Sequence, residues 1–568
     1  MARSWPAARK FPRKVLGDGV TTARYDPHTF LMWHRKASLR PAQRFGLKAY
    51  ESLNHRKPGA LVIDMEAGDA PVDLIAAFHE KTHWIQYCAT SIGCLLNAVK
   101  LYQYLWVRLE LPEIPPRVRA QLFDWRRSGR PIFTIDATNG VVLDHLSEDG
   151  RAFAETWWEY QVAFSLLSGD LGSTELKGHD LSTALGRVLG FIAHRALGLK
   201  ATDTEALVAL MEAFGTAQWN NLDTAEYGLS THDLFEAGAV VHELTALAMS
   251  RLMGIDDADI IERLRERETQ IGPHPYFKAV RVFCRYAGID DPRRVAVVDP
   301  IRRAFHAILD LALNPPVPPF VSFELLDKLR KRPGGVFSLQ QLYPPLRFHT
   351  LCLGMKALGQ GVCPADDAQT AELESKLCSA TGVITPPRSF EGPWPGCQAI
   401  DLTALEDDEE ALGRLRLVDY FCAVHKEFWQ LRRSHLGFST GYLEAVRLDK
   451  HPRTSDRLLL ERHGAAVQPL VQIGRWLNDY NMLPAPGLER LQIHMLAKSA
   501  FEYLLFDIFG DCGPLSLSSY PPFIRRNQSL QSLLVREYAH WFGDGLEFVV
   551  RDKEPRREAD SKTYVKFW

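Results

Sequence analysis

The chain has 568 residues, of which 46% are hydrophobic and 24% are charged, and its formal net charge is -2. This is the composition of a globular protein long enough for two or more hydrophobic cores. A net charge near zero gives no general attraction to nucleic acid or to membranes, so neither is expected as a partner. The sequence contains no apolar run of about 18 residues, so no membrane span is predicted.

Residues 1–57 form a basic segment, with thirteen Lys and Arg against three Asp and Glu. A solvated basic arm is the favoured interpretation, and a docking surface for an acidic partner or nucleic acid is the alternative. No apolar run follows the basic start, which argues against a secretory signal. The nine cysteines are scattered and contain no CxxC pair, which is typical of a reducing compartment. We therefore expect a cytoplasmic protein.

The first regular elements are predicted on either side of residue 70. The run ALVIDM at 60–65 is typical of a buried strand, and GDAP then begins a helix with Pro71 in its first turn. That helix is expected to continue through AAFHEKTHWIQYC to about Thr90. Two β-like runs within 131–145 flank Asn139-Gly140, which predicts a β-hairpin.

Most of the remaining chain is predicted to be helical, because apolar residues recur there at three- and four-residue spacing. The clearest such segments are 150–167, 183–199, 204–219, 232–253, 403–433 and 488–509. Loop-rich stretches at 313–320 and 385–397 interrupt them. We predict a mainly α fold with a small β element (α+β). Its predicted parts are a basic N-terminal segment (1–57), a metal-binding domain (58–315) and a helical C-terminal domain of unknown role (316–568).

A pattern typical of metal chemistry lies in the helix predicted from Pro71. His79 and His83 are four residues apart, so they share one helix face and can present two imidazoles to one ion. Glu80 lies between them. It is too near in sequence to be a comfortable third ligand, but it is well placed to take a proton from a metal-bound water. This H-E-x-x-H pattern favours a Zn²⁺ site over two ordinary helix histidines.

The H-E-x-x-H helix, the strand predicted before it and the ligand candidates on a later helix resemble the zincin metallopeptidases. The resemblance covers about residues 58–255, and its specific part is His79, Glu80 and His83. It implies a zinc-dependent peptidase in which a later helix donates the third ligand. The metzincin extension needs glycine at position 86 and histidine at position 89. This chain has Gln86 and Ala89, so that subclass is excluded.

The third ligand is expected on the helix predicted at 232–253. The run EAGA at 236–239 is similar to the E-G-x-A pattern of the gluzincins, and its small residues would let this helix approach the His79 helix closely. Glu236 is therefore the first choice as third ligand. Other candidates, as ligands or as residues that orient a histidine, are Glu243 and His232 on the same helix and Glu155 and Glu159 on an earlier one.

The sequence is less informative about substrate contacts. Zincins commonly hold a peptide by β-strand addition near the metal, and the hairpin at 131–145 is either such an edge or a structural element. A donor to the reaction's oxyanion is expected from His232, His242 or Tyr276. Arg347 and His349 follow a Pro-Pro turn; they could form a substrate-contact loop, but a His349 satisfied in the interior is the favoured interpretation. We expect one or a few protein or peptide substrates, and the C-terminal half is open to a regulatory partner.

Two other functions fit parts of the pattern. Glu80-x-x-His83 is also the E-x-x-H ligand pair of di-iron helical bundles, but the second E-x-x-H that such an oxidase needs is not found on the promising helices. Its further carboxylates would be Glu155, Glu159, Glu236 and Glu243. A non-catalytic helical interaction protein is the third interpretation. We favour zinc-dependent peptide-bond hydrolysis, with water activated by Glu80.

Overall fold

The computed structural model describes separate parts of the chain, within which the protein is mainly helical, as the sequence predicts. These parts are residues 23–26, 31–35, 71–120, 134–135, 141–142, 147–168, 229–250, 276–316, 343–359, 363–385, 470–474, 481–482, 501, 528 and 531–536. Outside them lie the strand predicted at 60–65, the helices predicted at 183–199, 204–219 and 403–433, and all of 488–509 except Phe501. None of the described helices is long and apolar enough to cross a lipid bilayer.

The helices and strands are named here in chain order. The helices are α1 (Pro71–Ala89), α2 (Ser91–Glu113), α3 (Glu148–Ser168), α4 (Thr231–Ser250), α5 (Lys278–Ala287), α6 (Arg294–Val297), α7 (Asp299–Leu313), α8 (Pro344–Leu358) and α9 (Asp367–Thr381). The strands are β1 (Ala23–Asp26), β2 (Leu31–Arg35), β3 (Thr134–Ile135), β4 (Val141–Val142), β5 (Leu470–Gly474) and β6 (Asn481–Met482).

The described strands form two sheets. The larger has the order β1-β2-β5-β6, in which β2 runs parallel to β5 and the other two pairs are antiparallel. It therefore joins residues 31–35 of the predicted basic segment to residues 470–474, and β1 and β2 also contact α1. The smaller sheet pairs β3 with β4 where the sequence predicts a hairpin, with Ile135 opposite Val141.

A sharp junction at Thr90 separates α1 from α2. Thr90 has an extended backbone, and its hydroxyl donates to the carbonyl of Gln86 (2.6 Å) and accepts from the N–H of Gly93 (3.0 Å). A side chain at position 93 would place its Cβ 2.5 Å from the Gln86 carbonyl oxygen, so glycine is required for this close approach. The junction fixes the C-terminal end of α1, the helix that carries His79 and His83.

The helix α4 packs directly against α1 through small residues. Ala237 and Ala239 are fully buried, and Gly238 faces Gln86 of α1. The start of α4 is fixed by a reciprocal cap: the Ser230 N–H donates to the Asp233 carboxylate (2.9 Å), and the Asp233 N–H donates to the Ser230 hydroxyl (3.0 Å). The helix therefore begins at a defined point just before Glu236, and it approaches α1 closely as the EAGA run predicts.

The central helix of the described core is α7, in which every residue from Ile301 to Leu313 is buried. It contacts α4, α6, α8 and α9. Its C-terminal end is held by Arg347 of α8, a fully buried side chain that donates to the carbonyls of Leu311, Ala312 and Asn314. Arg347 is thus part of the interior, and His349 is half-buried with its Nε2 3.0 Å from the Tyr286 hydroxyl.

One buried side chain, Arg347, crosses the domain boundary predicted at residue 315. Asn314 accepts a hydrogen bond from the Ser91 N–H at the start of α2 (2.9 Å), and the Ser91 hydroxyl donates to the Pro315 carbonyl (2.8 Å). Arg347 reaches the same segment from the C-terminal side of the boundary. Residues on both sides of 315 therefore share one packed core, and the division of the whole chain into domains stays a prediction.

Candidate metal centre

The packing of α1 against α4 brings the three predicted metal ligands together. His79 and His83 project from α1 and Glu236 from α4, and all three side chains are buried. The two Nε2 atoms are 3.1 Å apart, and Glu236 Oε2 lies 3.2 Å from Nε2 of His79 and 3.3 Å from Nε2 of His83. Three donor atoms on two helices therefore form a nearly equilateral triangle.

The size of this triangle fits a zinc ion. Ligand bonds to zinc are about 2.0–2.1 Å long, and two such ligands at a tetrahedral angle lie about 3.3–3.4 Å apart. The three separations of 3.1, 3.2 and 3.3 Å are close to that value. Two imidazoles and one carboxylate are also a donor set that zinc accepts, with a fourth position left for water.

His79 is held from its opposite edge by Glu243. Its Nδ1–H donates to Glu243 Oε2 at 3.1 Å, and both residues are buried. Nδ1 and Nε2 lie on different edges of the imidazole, so Glu243 does not share the triangle but directs Nε2 of His79 into it. This is the carboxylate–histidine arrangement that orients ligands in zinc proteins. Of the two roles that the sequence leaves open for Glu243, the geometry favours that of orienting a histidine.

His232 lies on the outer side of Glu236. Its Nε2 is 3.3 Å from Glu236 Oε1, the oxygen turned away from the triangle, and its side chain is 42% exposed. Glu80 is also only partly buried. His232 and Glu80 are therefore more exposed than the three residues of the triangle.

Of the remaining sequence candidates, Tyr276 lies beside the site and His242 lies in the core. The ring of Tyr276 lies 5.8 Å from that of His79, whereas His242 stacks on His306 of α7 in the core at 4.9 Å. The side chains of Glu155 and Glu159 lie outside the described residues. Sequence reasoning missed the role of Gln86, a buried residue whose amide contacts both helices.

The carboxylates around His79 change its protonation. Burial by itself lowers the pKa of His79, but hydrogen bonds to Glu236 and Glu243 and the charges of both outweigh it and raise the pKa from 6.5 to about 10. Burial likewise disfavours the charged form of Glu236, yet His83 and His232 hold the pKa of Glu236 well below its usual range. The site without a cation therefore holds a proton on His79 beside an ionised Glu236.

We expect zinc binding to displace this proton. A metal ion binds only a deprotonated imidazole nitrogen, and at pH 8 the raised pKa keeps His79 protonated in the folded chain. Calorimetric titration with zinc at pH 8, in buffers of different ionisation enthalpy, should show about one proton released per ion. Heats that do not depend on the buffer would contradict this expectation.

Comparison with known proteins gives no relative of this chain: no protein-family model, curated protein or solved structure matches it. The functional argument therefore comes from the site itself. Among the described residues, His79, His83 and Glu236 form a group of three side chains whose donor atoms lie close enough together to hold one metal ion.

Proposed function

We propose that the protein is a zinc-dependent hydrolase of peptide bonds, with His79, His83 and Glu236 as the zinc ligands. The observation that carries the proposal is the triangle of donor atoms with sides of 3.1, 3.2 and 3.3 Å. On each histidine an acceptor holds Nδ1: Glu243 for His79 and Gln86 for His83. Nε2 of each ring is then directed at the ion, which is the usual arrangement in zinc sites. The peptide bond as substrate is proposed from the H-E-x-x-H pattern shared with the zincins.

Glu80 is the general base of the proposed reaction. It follows His79 directly on α1 and is less buried than the ligands, which suits a group that meets water and substrate. Bound zinc supplies a water of lowered pKa and polarises the substrate carbonyl. Glu80 takes the proton as the water oxygen bonds to the carbonyl carbon, and gives it to the nitrogen as the C–N bond breaks.

We propose His232 and Tyr276 as the groups that face the substrate oxyanion. Both lie at the site: His232 is beside Glu236 on the exposed side, and the Tyr276 ring is next to that of His79. Either side chain can donate a hydrogen bond to a developing negative charge. His242 is not included, because it is buried against His306.

The proposal extends to fold, location and partners. A zincin-like region around α1, with a small β element, within the mainly α fold is part of the proposal. The six cysteines of the described residues are thiols rather than disulfides, and four of them are buried, which favours a reducing compartment such as the cytoplasm. A restricted protein or peptide substrate and a regulatory partner for the C-terminal half remain part of the proposal.

Metal analysis combined with a cleavage assay tests the function. We expect about one zinc ion per purified chain, loss of that zinc in His79→Ala, and cleavage of a peptide library that stops when a chelator removes the metal. Two irons per chain would instead support the di-metal oxidase. A chain that contains no metal and cleaves nothing would support the interaction protein, and either result would reject the proposed hydrolase.

A further inference from the structure

Gln86 is a fully buried residue that bridges the two helices of the proposed zinc site. Its amide nitrogen donates to the carbonyl of Phe235 on α4 at 3.1 Å, and its Oε1 lies 3.2 Å from Nδ1 of His83. The amide oxygen of Gln86 therefore holds a proposed ligand on α1, and the amide nitrogen holds the backbone of α4.

This bridge fixes which nitrogen of His83 carries the proton. The Phe235 carbonyl can only accept a hydrogen bond, so the NH₂ end of the Gln86 amide must face it and Oε1 must face His83. An acceptor at that point requires Nδ1 of His83 to be an N–H. In the neutral ring Nε2 is then the unprotonated nitrogen, and it lies 3.1 Å from His79 Nε2 and 3.3 Å from Glu236 Oε2.

The same bridge fixes the position of the third ligand. Phe235 immediately precedes Glu236, so the hydrogen bond from Gln86 holds the α4 backbone next to the carboxylate ligand. Gly238 makes this possible, because a Cβ at that position would lie 2.3 Å from Gln86 Nε2. The Thr90 hydroxyl in turn donates to the backbone carbonyl of Gln86. The Gln86 amide and Gly238 are therefore two of the features that set the separation of the ligand helices.

We propose that Gln86 is a positioning residue that sets the zinc affinity of the site, and that Gly238 is the glycine that makes room for it. The inference rests on the proposed function, since it concerns the same ion. Gln86 acts through His83 and through the backbone beside Glu236 rather than by contact with the ion. Glu243 orients His79 from a separate point.

The test compares two buried glutamines. Gln86→Leu keeps the side-chain size but removes both hydrogen bonds, and we expect the zinc affinity to fall by about 10- to 100-fold. Gln103→Leu is the matched control: Gln103 is also buried, donates to the Trp157 carbonyl (3.4 Å) and accepts from Lys100 (3.4 Å). Competition with a chromophoric chelator gives the zinc affinities, and thermal melting of the metal-free chains gives their stabilities.

A second variant displaces the Gln86 amide without removing it, and thermal melting of that chain measures any damage from the Cβ contact with Leu309 (3.0 Å). Gly238→Ala leaves Gln86 in the sequence but displaces its amide, so we expect zinc affinity to fall as in Gln86→Leu. The absorption bands of the Co²⁺-substituted chain should change in both variants and remain unchanged in Gln103→Leu.

The outcomes distinguish the two proposals. A wild-type chain that binds no zinc would overturn the proposed function and this inference together. Wild-type zinc binding with unchanged affinity and Co²⁺ spectrum in Gln86→Leu would overturn the inference alone. Equal loss of zinc affinity in Gln86→Leu and Gln103→Leu would also overturn it, because the effect would then be one of general stability.

Discussion

Replacing Glu80 with glutamine is expected to lower peptide hydrolysis by about 10²- to 10⁴-fold while the chain keeps its zinc. Glutamine has nearly the size of glutamate but cannot accept the proton of the attacking water. His79, His83 and Glu236 stay in place, so the ion should be retained. The measurement is kcat/KM for a peptide that the wild-type chain cleaves, at zinc contents shown to be equal.

The same chemical change at a distant site provides the control. Glu372 is exposed on α9 and forms a surface ion pair with Lys376, so Glu372→Gln should keep full activity. Full activity in Glu80→Gln would show that another group activates the water. Loss of zinc from Glu80→Gln would place Glu80 among the ligands and would contradict its assignment as base.

Replacing Arg347 with leucine is expected to destabilise the helical core by about 3 kcal/mol or more. Arg347 is fully buried and satisfies the carbonyls of Leu311, Ala312 and Asn314, and each buried carbonyl left without its donor costs about 1–3 kcal/mol. The guanidinium charge is also favourable at the C-terminal end of α7. The variant should melt several degrees below the wild-type chain, measured by circular dichroism at 222 nm.

A surface arginine provides the control that separates the loss of buried hydrogen bonds from the loss of a positive charge. Arg281 lies on the exposed side of α5, and Arg281→Leu should change stability by no more than about 0.5 kcal/mol. Equal melting temperatures for Arg347→Leu and the wild-type chain would contradict the structural role of Arg347. Hydrogen exchange at the C-terminal end of α7 should be faster in Arg347→Leu only.

The parts of the site that could be predicted from the sequence depend on local spacing. The helix predicted from Pro71 to about Thr90 corresponds to α1, and the segment 232–253 corresponds to α4. His79 and His83 share a helix face because they are four residues apart, whatever the helix packs against. Glu236 could be proposed because it stands in a run of small residues that predicts a close helix contact.

The parts that could not be predicted depend on the register between distant elements. In the sequence Gln86 is a polar residue on the same helix face as the histidines, with nothing to distinguish its role. No local pattern shows that the Phe235 carbonyl of α4 lies opposite it. The one available signal was Gly238, since a glycine within a helix indicates close approach of another group. The pairing of β2 with β5 has no local signal either, because it depends on how the intervening chain folds.

The parallel pairing of β2 with β5 has a consequence for biosynthesis. β2 ends at Arg35 and β5 begins at Leu470, so a ribosome adding about 5–20 residues per second makes the second strand roughly 20 to 90 s after the first. During that interval one edge of β2 has no partner strand, and an unpaired edge is prone to pair with other chains. Fragments that end before Leu470 should therefore aggregate when expressed, unless a chaperone covers this edge.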